Sequence, residues 1–445
     1  MSHPTHHTRR LEREVDLLAL HQAQPERYPH LLESVVHGTP QSRYDILFAF
    51  PGQTLTADEG DFHATLEHHW QLERLAITES DLPFAGGWFV YLGYELANEI
   101  EPTLNLPQSQ GPLPTAFATR IPAAVIRDHE TGCLHLICEP GQESLLTQME
   151  ADLSALDSNV ESISSPKIAA IEEDDPQIYL DGVNRIRDYI REGDVFQVNL
   201  SRAWRIQLAG TTAVELYQSL RRNNPAPFAA LVNYDGKAIL SSSPERLVAI
   251  DNGMVSTRPI AGTRPRSDDH FADKAHSATL MAHPKERAEH VMLIDLERND
   301  LGRVCEPGTV EVDELMVLES YAHVHHIVSN ISGRLRPGIT PAEVIRAVFP
   351  GGTITGCPKV RCMEIIQELE QTTRGPYTGS VGYISHSGHM DLNILIRTML
   401  LDGERLSFRT GAGIVADSIA DCELQETRDK ARGLLRALGM VDGTA

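Results

Sequence analysis

Two pairs of glutamates have the spacing of metal-binding side chains on helices. Glu286 and Glu289 lie three residues apart in PKERAEHVMLIDLERND, and Glu423 and Glu426 lie three apart in DCELQETRDKA. Residues three apart share one face of a helix. Two helices with paired carboxylates could hold Mg²⁺, which takes a few carboxylates together with water and substrate oxygens. The alternative is two solvated acidic faces, and spacing alone favours that alternative.

A second group of residues could bind a carboxylate. Arg397 stands in the apolar run LNILIRTML, where an unpaired charge would be costly. Gly411, Ala412 and Gly413 offer backbone N–H groups that side chains barely obstruct, and Lys430 follows on the last predicted helix. A guanidinium, an ammonium group and open amides together suit a carboxylate ligand. A structural salt bridge at Arg397 and a plain turn at the glycines are the competing explanation, which these residues alone favour.

Two further side chains are candidate acids or bases. Glu245 follows a proline in SSSPERL, at a strand-to-turn junction where a surface carboxylate is the plainer explanation. His326 lies in HVHHIVS, and strand alternation would place it on one face with Val324. A lone histidine on a strand is more often a satisfied core or surface residue than a catalyst.

The segment FPGGTITGCPKVRCMEIIQELE predicts a glycine loop that feeds a helix. Pro358 suits a helix start, and Lys359 would lie in the first turn, where free N–H groups favour an anion. A P-loop is excluded, because Gly356 is followed by Cys357 and not by lysine. A loop that only caps a packing helix is the plainer interpretation.

Composition limits the classes of partner. The chain has 445 residues and a formal net charge of −23, which argues against nucleic acid and anionic membranes because both require a basic surface. No apolar run approaches the length of a membrane span, and the N-terminus lacks the apolar core of a signal peptide. Six scattered cysteines without a CxxC pair indicate reduced thiols. We therefore expect a cytoplasmic protein.

The predicted elements do not alternate as a βαβ repeat. Helical periodicity appears at Tyr179–Glu192, at about 283–296 and at about 420–438, whereas alternation at 194–200, 379–384, 392–400 and 405–409 predicts strands. Residues 142–178 are rich in Ser, Asp and Glu and predict an acidic linker or exposed helix. We expect an α+β fold in which helices cover sizeable sheets.

Read together, the motifs resemble those of the chorismate-utilising enzymes. The matching runs are PIAGTRPR, KERAEHVMLIDLERNDLGRV, VHHIVS, GGTITGCPKVRCMEII, RGPYTGSVGY, LIRT, GAGIVADS and ELQETRDKA. The resemblance covers residues 179–438 and implies large antiparallel sheets flanked by helices. It divides the chain into an N-terminal region at 1–141, the acidic linker at 142–178 and a chorismate-binding catalytic domain at 179–438.

The resemblance also implies roles for single residues. Glu289 and Glu426 match the family's Mg²⁺ ligands, and Glu245 matches the acid that protonates the departing C4 hydroxyl of chorismate. His326 and Thr353 match catalytic positions around the ring. The substrate-binding positions are occupied here by Gly262, Thr263, Tyr377, Arg397, Gly411, Ala412, Gly413 and Lys430. A dianionic substrate in an acidic protein needs such local positive charge.

A tryptophan pocket is implied in the N-terminal region. The form LLES at 31–34 is that of feedback-inhibited family members. The positions that match the pocket are Ser34, Arg43, Tyr44, Asp45, Ile46, Pro227, Phe228 and Ala229. The resemblance therefore implies bound tryptophan, in a regulatory or a structural role.

The nucleophile is expected to be ammonia. Family members that activate water carry a lysine at the position of Gln197 in DVFQVNLS, and glutamine cannot act as that base. The runs SRYDILFAFP, GGWFVYLGYEL, TGCPKVRCMEII and MDLNILIRT resemble the aminodeoxychorismate synthases more than the anthranilate synthases. We therefore expect the synthase subunit of a heterodimer that makes 4-amino-4-deoxychorismate, with ammonia from a separate glutamine amidotransferase subunit.

Two features favour other interpretations. Many aminodeoxychorismate synthases carry a nucleophilic lysine where this chain has Ala261, and both PIAGT and LLES are typical of anthranilate synthase component I. That enzyme is the first alternative. A non-catalytic, tryptophan-binding regulatory subunit is the second, and the presence of the candidate catalytic residues argues against it.

Overall fold

The computed structural model describes residues 6–36, 43–74, 82–107, 109, 111–156, 166–266, 269–282, 284–320 and 324–440. Its helices are α1 Leu17–Ala23, α2 Phe62–Glu73, α3 Ala97–Ile100, α4 Ser144–Ala155, α5 Pro176–Glu192, α6 Ala213–Asn223, α7 His270–Ala282, α8 Pro284–Gly302, α9 Pro341–Val348, α10 Lys359–Glu370 and α11 Ala420–Ala437.

The strands are β1 His7–Leu11, β2 His30–Glu33, β3 Tyr44–Ala49, β4 Thr54–Thr56, β5 Gly87–Leu92, β6 Ala116–Ile121, β7 Ala123–Asp128, β8 Cys133–Cys138, β9 Ile168–Glu173, β10 Gln197–Leu208, β11 Phe228–Tyr234, β12 Lys237–Ser243, β13 Arg246–Asp251, β14 Met254–Thr257, β15 Ile260–Pro265, β16 Glu311–Ser320, β17 Val324–Arg334, β18 Gly356–Cys357, β19 Ser380–Ser385, β20 Met390–Asn393, β21 Thr398–Asp402 and β22 Arg405–Ile414.

These strands form two antiparallel sheets. Sheet I has the order β1-β8-β7-β3-β2-β11-β12-β21-β22-β10-β18, with β9 paired to β10. Sheet II has the order β15-β17-β14-β13-β20-β19-β5-β6-β4, with β16 paired to β17. The expected α+β class with large antiparallel sheets is confirmed.

A buried aromatic cluster joins the two sheets. Phe48 of β3 lies in sheet I, and its ring centroid is 5.3 Å from that of Phe89 on β5 in sheet II. Ile239 of sheet I and Tyr383 of sheet II belong to the same cluster. Full burial of such a side chain contributes about 1.5–3 kcal/mol, so the face-to-face contact of the sheets is a main source of stability.

Local sequence signals explain the elements around the glycine loop. Thr340 and Glu343 form a capping box at the start of α9, with Pro341 in the first turn. Helix α10 starts directly after Pro358, as predicted. Lys359, however, bonds Asp300 at 2.6 Å and the Val348 carbonyl at 3.0 Å. Because a buried carboxylate already pairs with this lysine, the structure agrees with the plainer interpretation of a loop that caps a packing helix.

Other predicted elements differ in detail. Strand β10 begins at Gln197 and extends to Leu208, beyond the predicted end at 200. Residues 142–178 contain α4 and β9, and the predicted division of the chain at 142 and 179 stays a prediction. All six cysteines are free thiols, as expected. In the part of the chain that is described, no helix combines the length and apolarity that a membrane crossing requires.

Candidate active site

Glu245 is a buried acid at the centre of the site. It lies between β12 and β13, and only 5% of the residue is exposed. Burial raises the pKa of Glu245 to about 7, although the N–H of Ile260 and the charges of Arg397 and Lys430 lower it. The explanation of Glu245 as a surface carboxylate is therefore wrong. At neutral pH the carboxyl can therefore donate a proton.

Arg397 supplies a positive charge beside this acid. It lies between β20 and β21 with φ of 52°, so the prediction that it stands within a strand is wrong. Among the described residues, no carboxylate lies within ion-pair distance of its guanidinium. Burial lowers the pKa of Arg397, and the Tyr377, Glu245 and Glu426 side chains oppose that shift. Its competing explanation, a structural salt bridge, is therefore not what the described residues show.

The glycine segment forms one floor of the site. Gly411 to Gly413 lie in β22 opposite Ser201 to Asn199 of β10, and not in a turn. Strand β21 pairs with β22 only as far as Phe408. Alternate N–H groups of the later residues of β22 therefore face an open strand edge.

Close approach explains why glycines stand in this strand. A Cβ at Gly411 would lie 2.7 Å from the Tyr377 hydroxyl oxygen and 2.8 Å from Asn199 Oδ1. A Cβ at Gly413 would lie 2.2 Å from Gln197 Nε2. A Cβ at Gly411 would also lie 2.6 Å from the Leu200 carbonyl oxygen, and backbone cannot move aside, so glycine is needed there. The segment brings two amide side chains and a phenol to one surface.

Three buried polar atoms in this region lack a partner. Gln197 Oε1, Asn199 Oδ1 and Thr353 Oγ1 have no hydrogen bond within the described residues. Leaving a buried polar atom unsatisfied costs about 1–3 kcal/mol. Their concentration around Glu245 and the glycine segment points to a polar ligand that completes their hydrogen bonds.

His326 forms the opposite wall, on sheet II. It lies on β17, is 4% exposed, and stands opposite Thr263 in the register with β15. Burial lowers the pKa of His326 to about 4, helped by the charge of Arg397 and opposed by a hydrogen bond with the backbone of Gly262. The imidazole is therefore neutral at physiological pH and can donate or accept a hydrogen bond there.

The paired glutamates reach the site from two helices. Helix α8 carries Glu286 and Glu289 and packs on β15 and β17, whereas α11 packs on β22. Glu286 Oε2 lies 2.8 Å from the position a Cβ would take at Gly262. On α11, Glu426 bonds Lys430 at 2.7 Å, and Lys430 also donates to the Gly411 carbonyl at 2.9 Å.

These glutamates offer only hard oxygen donors, and such a donor set fits Mg²⁺. Among the described residues, the tightest group of possible ligands lies elsewhere, at Asp61, His63 and Glu99. Helix capping accounts for that group, because Asp61 accepts the N–H of Ala64 and Glu99 accepts the N–H of His63 at the start of α2.

The predicted tryptophan positions also come together. The Ser34 hydroxyl donates to the Pro227 carbonyl at 3.0 Å, and the Ser34 N–H donates to Asp45 at 2.8 Å. Strand β2 pairs with both β3 and β11, which carry Tyr44 to Ile46 and Phe228 to Ala229. Arg43 bonds Asp128 instead. Binding of tryptophan at this place stays a prediction.

The sequence prediction missed two buried charged residues that adjoin the site. Arg374 and Glu370 form a buried ion pair at 2.7 Å, and Arg374 also donates to the backbone carbonyls of Asn199 and Ile354. Their spacing of four residues across the end of α10 was the available signal.

The fold brings together a buried acid with a raised pKa, an arginine beside it and paired carboxylates on two helices, and this set of groups suits an enzyme. The family model for chorismate binding enzymes matches residues 32–436. The chain belongs to this family and is a chorismate-utilising synthase.

Similar proteins carry more than one name. An anthranilate synthase component I-like protein from Synechocystis is 43% identical over 80% of this chain and 73% of its own length. Aminodeoxychorismate synthase component 1 of Bacillus subtilis is 40% identical over 84% of this chain and 82% of its own. The crystal structure of anthranilate synthase component I from Streptococcus pneumoniae has a TM-score of 0.79 at 33% identity and covers 90% of this chain and 93% of that one.

Proposed function

We propose that this chain is the synthase subunit of an aminodeoxychorismate synthase, which converts chorismate and ammonia to 4-amino-4-deoxychorismate and water. The observation that carries the chemistry is Glu245, a buried carboxyl that is half protonated near pH 7 beside an arginine without an anionic partner among the described residues. The choice of product follows the runs at β3 and β5 and the B. subtilis relative.

Each group has a defined part in this reaction. Arg397, Tyr377 and the open edge at Gly411–Gly413 hold the substrate carboxylates, and Lys430 adds positive charge. Glu245 gives its proton to the C4 hydroxyl, which leaves as water. Ammonia forms the new C–N bond as the C4–O bond breaks, and one proton of the attached nitrogen returns to the Glu245 carboxylate. The neutral imidazole of His326 orients the ring by a hydrogen bond.

The chain has no lysine at the position where water-using relatives carry their base, and no nucleophile at position 261. Gln197 is a neutral amide at the position where water-using relatives carry lysine, and Ala261 cannot form a covalent adduct. Free ammonia is therefore the proposed nucleophile. Because no GxCxGxQ signature occurs in the sequence, a separate glutamine amidotransferase subunit is proposed to supply it.

Mg²⁺ is the proposed cofactor. Glu289 and Glu426 would hold it, with Glu286 and Glu423 close by, and the ion would neutralise substrate carboxylate charge. These four glutamates are oxygen donors only, and this supports Mg²⁺ over softer metals.

We expect Glu289→Ala to abolish Mg²⁺-dependent turnover, because one of the two proposed protein ligands is lost. The measurement is chorismate consumption across a Mg²⁺ titration. Asp295→Ala is the control, since Asp295 is an exposed carboxylate on the same helix that pairs with Arg298. A fully active Glu289→Ala protein would contradict the metal assignment.

Anthranilate synthase component I is the second candidate function. Ala261 and the LLES run favour it, and so do the names of several relatives. In that reaction the enolpyruvyl group would leave as pyruvate.

Genetic complementation separates the two functions. We expect the chain, together with an amidotransferase subunit, to restore growth of a bacterium that cannot make p-aminobenzoate. It should not restore one that lacks anthranilate synthesis. Rescue of the second strain alone would select the anthranilate function, and rescue of neither would favour a non-catalytic subunit.

A further inference from the structure

Arg374 is a buried arginine four residues after the end of α10, in the sequence RGPYTG. Its side chain is 1% exposed. A guanidinium has five N–H donors, and each one of Arg374 meets an acceptor. The acceptors are both carboxylate oxygens of Glu370, the carbonyls of Asn199 and Ile354, and the hydroxyl of Thr378.

Three of these acceptors belong to different walls of the candidate active site. Asn199 lies on β10 opposite Gly413, and its side-chain oxygen is one of the unpartnered atoms. Ile354 belongs to the glycine loop next to Thr353. Thr378 follows Tyr377 directly. One planar side chain therefore sets the spacing between β10, the glycine loop and the turn that carries Tyr377.

The turn at Thr378 needs such support. Thr378 has φ of 62°, a left-handed conformation that is rare for a β-branched residue and costs about 1–3 kcal/mol. Its hydroxyl accepts from Arg374 and donates to the Tyr377 carbonyl at 2.5 Å. The Arg374 guanidinium also lies 5.5 Å from the centre of the Tyr377 ring. Arg374 therefore contacts both the turn and the ring of its tyrosine.

We propose that Arg374 is a positioning residue that fixes Tyr377, Asn199 and the Ile354 loop in the geometry that receives the substrate carboxylates. The inference rests on the proposed chorismate site and adds a residue that does not touch the substrate. Lysine cannot replace the arginine here, because an ammonium group has three donors and no planar fork.

Arg409 provides a matched comparison. It also pairs with Glu370, at 2.9 Å, and is 8% exposed. Its remaining bonds go to Ser201 and Thr372, and not to Asn199, Ile354 or Thr378. Replacing either arginine by lysine perturbs the same buried carboxylate. Only Arg374→Lys also removes hydrogen bonds to Asn199, Ile354 and Thr378.

The test compares Arg374→Lys with Arg409→Lys in the full chain, with chorismate, Mg²⁺ and ammonium. KM for chorismate, kcat and Tm are measured for both, well below the lower Tm. We expect Arg374→Lys to raise KM at least about tenfold, and Arg409→Lys to raise it less than about threefold at a similar loss of Tm. Equal changes in KM for the two variants would overturn the inference.

A second variant keeps the test independent of folding. Thr378→Val has nearly the same shape but lacks the hydroxyl that links Arg374 to Tyr377, so we expect a rise in KM at a loss of Tm no larger than that of Arg409→Lys. Combining Arg374→Lys with Tyr377→Phe should give less than the product of the two single losses, because Arg374 acts by positioning the Tyr377 hydroxyl, which the phenylalanine lacks. Independent, multiplicative losses would overturn the inference.

The two proposals fail in different ways. A wild-type protein that neither binds nor consumes chorismate would overturn the proposed function together with this inference. A wild-type protein that consumes chorismate, with equal effects of Arg374→Lys and Arg409→Lys, would overturn only the positioning role.

Discussion

Glu245→Gln is expected to lower kcat/KM for chorismate by about 10²–10⁴-fold, the range found when a general acid is removed. Glutamine has the size of the neutral carboxyl that burial favours here, so the fold and substrate binding should persist. KM should therefore change little, and the loss should fall on kcat. Steady-state kinetics with Mg²⁺ and ammonium measure both.

The same variant has a pH signature. Since burial raises the pKa of Glu245 to about 7, the wild-type kcat/KM should fall as pH rises through about 7, because the proton to be donated is lost. This limb should be absent in Glu245→Gln. Burial lowers the pKa of His326 to about 4. His326 is therefore neutral across this range and causes no change of kcat/KM with pH.

Glu297 offers a control for this prediction. It is 6% exposed, and burial together with the charge of Asp300 raises its pKa to about 8. Glu297→Gln therefore also replaces a neutral buried carboxyl by an amide, at a position without a proposed role. We expect its kcat to stay within a few-fold of wild type. Equal losses in the two variants would contradict the assignment of Glu245 as the acid.

Arg397→Gln is expected to weaken chorismate binding by about 10²–10³-fold. Removing one partner of a buried, hydrogen-bonded charge pair costs about 2–5 kcal/mol, and each 1.4 kcal/mol is tenfold. The effect should appear in KM and in the dissociation constant from calorimetry. Arg397→Lys should recover only part of it, because the ammonium lacks the bidentate fork.

Arg397→Gln should not lower the thermal stability of the ligand-free protein. No carboxylate pairs with the Arg397 guanidinium among the described residues, and a buried charge without a partner is costly. We expect Tm of the ligand-free Arg397→Gln protein to equal or exceed that of wild type. A large drop in Tm with unchanged chorismate affinity would make Arg397 a structural residue and contradict its binding role.

The general architecture was accessible from the sequence because strand alternation and helical periodicity are local signals. The helix of Tyr179–Glu192 and the final helix at 420–438 were found within a few residues of their observed bounds. The order of strands in two sheets was not accessible. Strands β2 and β11 are neighbours although about 200 residues separate them, and local patterns carry no information on such pairs.

Part of the site could also be predicted from local sequence signals. Spacing placed Glu286 with Glu289, and Glu423 with Glu426, on shared helices, and the structure has them there. Arg397 was expected in a continuous strand, because its neighbours are apolar and nothing local indicates its positive φ. The pairing of Lys359 with Asp300 could not be predicted, because the two residues are 59 apart in sequence.

Arg374 is the residue whose role was least predictable from the sequence. Its five acceptors come from β10, the glycine loop, α10 and the following turn, and their convergence exists only in the folded chain. Sequence spacing indicated only the pair with Glu370. A residue that acts by joining distant segments has no local signature.

The most direct test of the account is the mass of the product from chorismate, Mg²⁺ and ¹⁵N-ammonium without a partner subunit. We predict a labelled amine that retains the enolpyruvyl group and yields p-aminobenzoate when a suitable lyase is added. Labelled anthranilate with free pyruvate would contradict the proposed product and show that Ala261 and LLES were the better indicators. Absence of any labelled product would contradict catalysis by this site.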